Sequence, residues 1–375
     1  MSIPATLAIL LLALVQVRSA WAIETVRIKM GEVSREVSLS AKTLWFGPDS
    51  EEESFSSLVK ATSGVRQVGG RLEVNGMPWE GDSVRFRTTA QWLEKPEAEP
   101  EEIGISTFRV RGDVVVRRAH GQLELINVLP LEDYVAGVLG QEMPVAFPLE
   151  ALKAQAVAAR TYALKKKLDS PGQPYHLGSS VLHQVYGGLR QQDARVRAAV
   201  EATRGEILTY DLEPIEAYFH SSCGGHTESG SSALGRSLPY LKPVDCPCGR
   251  HGGTHWELSI SRSELAELAK SVGQKDAMGL TVEGHSATGR AKAIRIDPDH
   301  VVDAVTFRQR LGYSKLKSLW FEVESTRGGF RIKGRGYGHG AGMCQWGAKA
   351  YADGGTGYRE ILQHYYADTE IQRLY

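Results

Sequence analysis

The chain has 375 residues, 42% hydrophobic and 23% charged, the balance of an ordinary folded protein with length for roughly two domains at ~100–200 residues each. Lys plus Arg and Asp plus Glu each number 44, which gives no support for nucleic-acid binding by a broad basic surface, so partners have to be inferred from local sites. Its four cysteines are too sparse for a disulfide-built scaffold.

Thr6 to Val17 is an apolar run too short for a membrane span and suited to the core of a signal peptide, and Ala20-Trp21-Ala22 supplies a small-x-small cleavage pattern. A leader over residues 1–22 is expected, with export to the periplasm or cell-wall space. No Lys or Arg precedes the run, which leaves an uncleaved or lipid-associated N-terminus as the alternative. No later stretch is apolar enough to cross a bilayer, so the mature chain is expected to have no transmembrane segment.

Residues 23–120 read as a β-rich region, with alternating or β-branched pieces at Val26–Lys29, Val33–Leu39, Arg71–Val74, Ser83–Thr88 and Thr107–Val116. Glu94 to Glu102 is acidic, holds prolines and lacks hydrophobic periodicity, as a solvated linker or a long hairpin tip does. After a strand at Leu123–Val128, Pro130 and the acids Glu132 and Asp133 open a short helix predicted to end near Gly140. Pro148 then opens a long helix over Leu149–Leu168, rich in Ala, Leu, Lys, Gln and Arg. Further helices are expected at Gln192–Thr203, Ser261–Val272, Val305–Leu311, Cys344–Tyr351 and Tyr358–Tyr365. Strands are expected at Glu206–Tyr210, Glu216–His220, Trp256–Ser261, Leu280–Glu283, Ala291–Ile296, Trp320–Glu324 and Gly329–Lys333. Segregated strands and helices of this kind make an α+β protein.

Three constellations carry chemistry. The first is Gln141-Glu142-Met143-Pro144, a carboxylate on a proline-stiffened turn, followed by a helix on which Lys153 and Arg160, seven apart, share a face. Those two cations are either solvated surface groups or binders of an anion. The second is Cys223-x-x-His226 with Cys246-x-Cys248, a Cys₃His set suited to tetrahedral zinc, with His220, His251 and His255 as other fourth ligands. Cys-x-Cys is shorter than the usual ligand spacing, and in an exported protein a disulfide among Cys223, Cys246 and Cys248 is the alternative. The third is Gly334 to Gly342, whose glycines allow positive φ and close backbone approach, with Tyr337, His339 and Gln345 as sugar contacts. Cys344, at the end of this tract, reads as a small buried residue.

The blocks Leu129–Val138, Glu142-Met143-Pro144, Glu150–Tyr162, Gln184–Gly188, Ala217–Glu228, Pro239-Tyr240-Leu241 and Gly336–Ala348 resemble, in order, those of the SpoIID/LytB family. The resemblance covers nearly all of 121–375, read as one catalytic core. It implies action on bacterial peptidoglycan: a lytic transglycosylase that cuts between N-acetylmuramic acid and N-acetylglucosamine, favouring glycan stripped of peptides. The family's catalytic glutamate falls on Glu142, and its functional basic positions fall on Lys153 and Arg160. Some members are associated with zinc near the cysteine cluster. The LytB branch is named for modifying an amidase, so a non-catalytic wall-binding protein that recruits or stimulates a cell-wall amidase is the alternative. Hydrolases place two carboxylates about 5–10 Å apart. A lytic transglycosylase manages with one, because the muramic acid's C6 hydroxyl attacks the anomeric carbon and leaves a 1,6-anhydro end.

Overall fold

The structure, a computed structural model, describes residues 24–50, 57–88, 101–106, 108–179, 184, 186–188, 193–250, 254–271, 279–297 and 300–375. The expected leader, His251 and most of the acidic linker lie outside the described residues. Strands and helices occur in several separate sheets and layers, an α+β fold. The chain groups into two compact units: residues 1–144, 163–207 and 373–375 form the first, and 145–162 with 208–372 the second. The segment 121–375 contributes to both.

The first unit is built on one large sheet. Its strands are β1 Thr25–Val33, β2 Glu36–Gly47, β3 Ser57–Val68, β4 Arg71–Val74, β5 Met77–Trp79, β6 Ser83–Arg87, β7 Ile103–Ile105, β8 Phe108–Val110, β9 Asp113–Ala119, β10 Gln122–Pro130 and β11 Leu177–Gly178. They run in the order β11-β1-β10-β9-β6-β2-β3-β4-β5, with β7 and β8 attached to β2. Two sequence expectations are corrected here. Val33–Leu39 is not one strand, since the chain bends at Ser34-Arg35 between β1 and β2. Likewise Thr107–Val116 is split at Arg111-Gly112, where Gly112 takes φ +75°. Period-2 alternation sends Val37, Leu39, Leu44, Val84, Phe86, Val114 and Val116 to one core. Each such burial is worth about 1.5–3 kcal/mol.

Helix α1, Leu131–Glu142, follows β10 directly, and α2 spans Leu149–Leu168 as the sequence predicted, its residues from Ala163 onward belonging to the first unit. Lys165, Lys166 and Lys167 sit in the last turn of α2, where they complement the helix dipole. Helix α3, Ala194–Ala202, is capped by Asp193, whose side chain accepts from the Arg195 amide.

The second unit contains α4 Gly230–Leu234, α5 Arg262–Ser271, α6 Ala304–Leu311, α7 Gln345–Asp353 and α8 Tyr358–Tyr365. Antiparallel strands His255–Ser261, Gly329–Arg335 and Phe321–Thr326 form one small sheet, and Thr281–His285, Ala291–Asp297 and His300–Asp303 another. Trp256, Leu265, Ile294, Phe307, Leu316 and Ile332 share the core that joins them to α5 and α6. The expected strand Glu216–His220 is reduced to Phe219–His220, because its partner is the two-residue piece Met343–Cys344, paired in parallel. That pairing brings the end of the glycine tract onto the first cysteine segment.

Candidate functional site

Glu142 is the last residue of α1 rather than part of a free turn, two residues beyond the predicted end. The helix stops there because Met143 adopts extended backbone ahead of Pro144, which the residue before a proline favours. The Met143 amide still reaches the Leu139 carbonyl at 3.1 Å, tying down the turn. Glu142 is half-buried, between buried Leu139 and Met143.

A buried polar ladder fixes α1 within the first unit. The Tyr134 hydroxyl donates to Gln184 Oε1 at 2.7 Å, the Tyr186 hydroxyl to Asn127 Oδ1 at 2.7 Å, and Asn127 Nδ2 to the Arg111 and Asp113 carbonyls. Gly137 faces the Tyr186 ring so closely that a Cβ would sit 2.7 Å from it. The competing carboxylates are occupied: Glu132 accepts from the Gly205 amide and the Tyr375 hydroxyl, and Asp133 pairs with Arg111. Burial nevertheless lifts the Asp133 carboxyl above the usual carboxylate range.

In the second unit, Lys153 and Arg160 part company. Lys153 keeps some exposure, pairs with Glu150 at 2.7 Å and lies 5.6 Å from the Tyr358 ring centre. Arg160 is wholly buried, the largest such side chain among the described residues. A solvated surface cation does not fit that position, so that expectation for Arg160 is corrected. The reason is packing: Ala154, Ala156, Ala158 and Ala159, buried like Arg160 itself, let neighbours close over the middle of α2.

Of the tract residues, Tyr337 is exposed, with the Lys317 ammonium over its ring, while His339 and Gln345 turn inward. His339 donates from Nε2 to the Phe219 carbonyl at 3.0 Å and accepts the Ala341 amide on Nδ1 at 3.1 Å, so both nitrogens are used by the fold. Burial holds its pKa down near about 4. Gln345 Nε2 donates to Gln155 Oε1 on α2, a partner that no motif singles out. Glu228 is buried and accepts from Ser286 Oγ, Thr288 Oγ1 and the Ser229 amide. Burial works against its charge, yet these hydrogen bonds win and hold its carboxyl below the ordinary range.

The cysteines come together. Sγ atoms of Cys223, Cys246, Cys248 and Cys344 lie within 4.8 Å of one another, all buried, and all four thiols are free. Cys223 and Cys248 are 3.4 Å apart, far beyond the ~2.05 Å of a disulfide. Four sulfurs around a tetrahedral ion at ~2.3 Å would stand about 3.8 Å from each other, which this spacing matches. The expected ligand set is therefore corrected at one position: Cys344 takes the place given to His226. The His226 ring instead meets the Thr227 carbonyl at 2.7 Å and Asp245 at 3.7 Å. Amides of Cys223 and Gly347 donate to Cys344 Sγ at 3.3 Å each, and the Tyr365 hydroxyl lies 3.1 Å from Cys246 Sγ. With thiols alone, hydrogen bonds from Cys223, Cys246 and Cys344 pull the Cys248 thiol down, while burial lifts that of Cys344. A usable signal was in the sequence: four cysteines equal one tetrahedral set.

This order of blocks and this cysteine centre can be set beside known proteins. The family model described as stage II sporulation protein matches residues 119–210. Stage II sporulation protein D of Bacillus subtilis is 33% identical over 282 residues, 68% of this chain and 78% of the relative. The chain belongs to the SpoIID family. Its namesake from Bacillus amyloliquefaciens is 34% identical over 66% of this SpoIID chain and 75% of the relative. An uncharacterised protein of Brachyspira hyodysenteriae reaches 38% over 66% and 68% respectively. The amidase enhancer of Bacillus subtilis is 30% identical over 63% of the chain and 40% of its own length. Among the described residues of this SpoIID protein, no helix is long and apolar enough to cross a membrane.

Proposed function

We propose that this SpoIID protein is an exported peptidoglycan lytic transglycosylase that cleaves the bond between N-acetylmuramic acid and N-acetylglucosamine in peptide-denuded strands. The observation that carries the reading is Glu142, half-buried on the final residue of a helix pinned by the Tyr134, Tyr186 and Asn127 ladder. A general acid has to meet the leaving oxygen from a fixed position, and a pinned helix end holds one carboxyl in place. Glu142 would protonate the leaving oxygen and then, as carboxylate, take the proton of the C6 hydroxyl as its oxygen bonds to the anomeric carbon. One residue serves both steps, and the product keeps an anhydro ring. Lys153 suits the lactyl carboxylate that peptide removal exposes, and the exposed Tyr337 ring suits a sugar face.

Zinc fits the four-cysteine set, with Cys223, Cys246, Cys248 and Cys344 as its ligands, and four protein thiolates leave no open position for water or substrate. Its contribution there is to hold the fold. The glycan chemistry is left to side chains.

Mass spectrometry of denuded glycan incubated with the purified protein tests the reading. Anhydro-ended fragments with the wild type and none with Glu142→Gln support it. Equal product from both removes Glu142 from the mechanism. The likeness to an amidase enhancer favours a second reading, a wall-binding protein without cleavage. On that reading no fragment appears with either protein, and the rate of an added cell-wall amidase rises instead.

A further inference from the structure

We infer that Arg290 is the positioning residue of the four-thiol centre, holding the loop that delivers Cys223 and opposing the negative charge gathered there. The inference rests on the zinc reading above. Arg290 is 4% exposed, and its guanidinium is spoken for on every side. One terminal nitrogen donates to the carbonyls of Cys223 at 2.9 Å and His226 at 2.8 Å, the other to Thr288 Oγ1 at 2.9 Å. Those two carbonyls bracket the turn through Gly224 and Gly225, whose φ values of +83° and +121° set the direction of the chain after Cys223. Clamping both ends of that turn fixes where the Cys223 sulfur points.

Charge gives the second half of the argument. A divalent ion among four thiolates leaves a surplus of two negative charges in a buried place. The Glu228 carboxylate, 3.9 Å from Arg290, adds another. Arg290 is the cation set against both. Burying a guanidinium is costly unless charge and hydrogen bonds compensate, and here both are present. The Trp320 ring, 4.8 Å from the guanidinium carbon, and Gly340 close the remaining sides: a Cβ on Gly340 would stand 2.8 Å from the guanidinium nitrogens. The hairpin carrying Ser286, Thr288 and Arg290 is thereby an outer support for the metal ligands. Such partners typically matter about 10–100-fold for metal affinity.

The test uses the full chain loaded with zinc alone, in competition with a chelator of known affinity, and with cobalt to report thiolate geometry. Arg290→Met is expected to bind zinc about 10–100-fold more weakly and to alter the cobalt–thiolate absorption. Arg290→Lys, which keeps the charge and loses the fork, is expected to recover part of that affinity. Thr288→Val, which removes one anchor of the guanidinium, is expected to weaken binding in the same direction and covers the case in which Arg290→Met fails to fold. A residue that merely packs would lower Tm equally with and without zinc, whereas a positioning residue shrinks the rise in Tm that zinc produces. Wild-type affinity and an unchanged zinc-induced rise in Arg290→Lys and Thr288→Val overturn the inference and leave the zinc reading standing. A wild-type chain that takes up no zinc sinks both.

Discussion

Glu142 occupies a helix end, and the consequence for chemistry is specific. A rigid last turn aims one carboxyl, whereas a flexible loop would spread it over many directions. Glu142→Gln is therefore predicted to lower anhydro-product formation by about 10²–10⁴-fold, the range for loss of a general acid, with the melting temperature unchanged; product rate and Tm measured together decide it. A buried ion pair contributes to the stability of the first unit. Arg87 and Asp113 are both buried, with Arg87 Nε 3.1 Å from Oδ1 and its terminal nitrogen 2.9 Å from Oδ2. Arg87→Ala leaves Asp113 charged with one fewer cation beside it, and denaturant unfolding is expected to show a loss of about 3–5 kcal/mol. The four cysteines make a prediction of their own. Unfolded without reductant, the protein should release all four as titratable thiols, and a count of two would reinstate a disulfide.

Among elements, α8 reaches the cysteine centre through Tyr365, and α7 reaches it through its first turn. Its N-terminal residue follows Cys344, whose sulfur accepts the Gly347 amide as a cap. Gly347 has no side chain because there is no room for one: a Cβ would lie 2.0 Å from the Tyr365 hydroxyl and 2.3 Å from Cys246 Sγ. Gly347→Ala is predicted to push α7 and α8 apart at this point, costing about 1–3 kcal/mol and lowering zinc uptake, as thermal unfolding and metal analysis of the variant would show. A variant with full zinc content and unchanged Tm would contradict the packing described here. The glycine tract before it works by the same logic. Gly342, at φ +68°, faces the Tyr218 carbonyl at 2.0 Å from where a Cβ would stand, which is how Met343–Cys344 can pair with Phe219–His220.

For the molecule as a whole, half-buried histidines weaken the acid side of stability. His339 in the second unit and His176 in the first are both held down to about 4, chiefly by burial. The unfolded chain takes up a proton on each as pH falls below about 6.5, while the folded protein does so only near about 4. Stability contributed by these groups is thus complete above pH ~6.5 and drains away between ~6.5 and ~4, by roughly 1–3 kcal/mol each. Carboxylates lowered by their partners, Asp49, Glu124 and Glu228, extend the loss as pH falls further through their folded values. Unfolding free energy followed from pH 7.5 to 4 should decline monotonically, and replacing His176 with Phe should flatten the curve. A level curve over that interval would contradict neutral, half-buried imidazoles.

The α+β class, the long helix α2 with both its ends and most strand positions were legible along the chain, because helix propensity, proline punctuation and period-2 alternation are local properties. The family blocks, in their order along the chain, carry the SpoIID resemblance. Which groups meet depends on how the elements pack in three dimensions. That packing placed Cys344, nearly a hundred residues beyond Cys248, in the position that a local spacing rule had given to His226. It buried Arg160 on every side of a helix whose alanines concealed how closely neighbours approach. It set Arg290 against two carbonyls of a turn more than sixty residues earlier. Contacts of that range follow from how sheets and helices stack, and no periodicity along the chain encodes them.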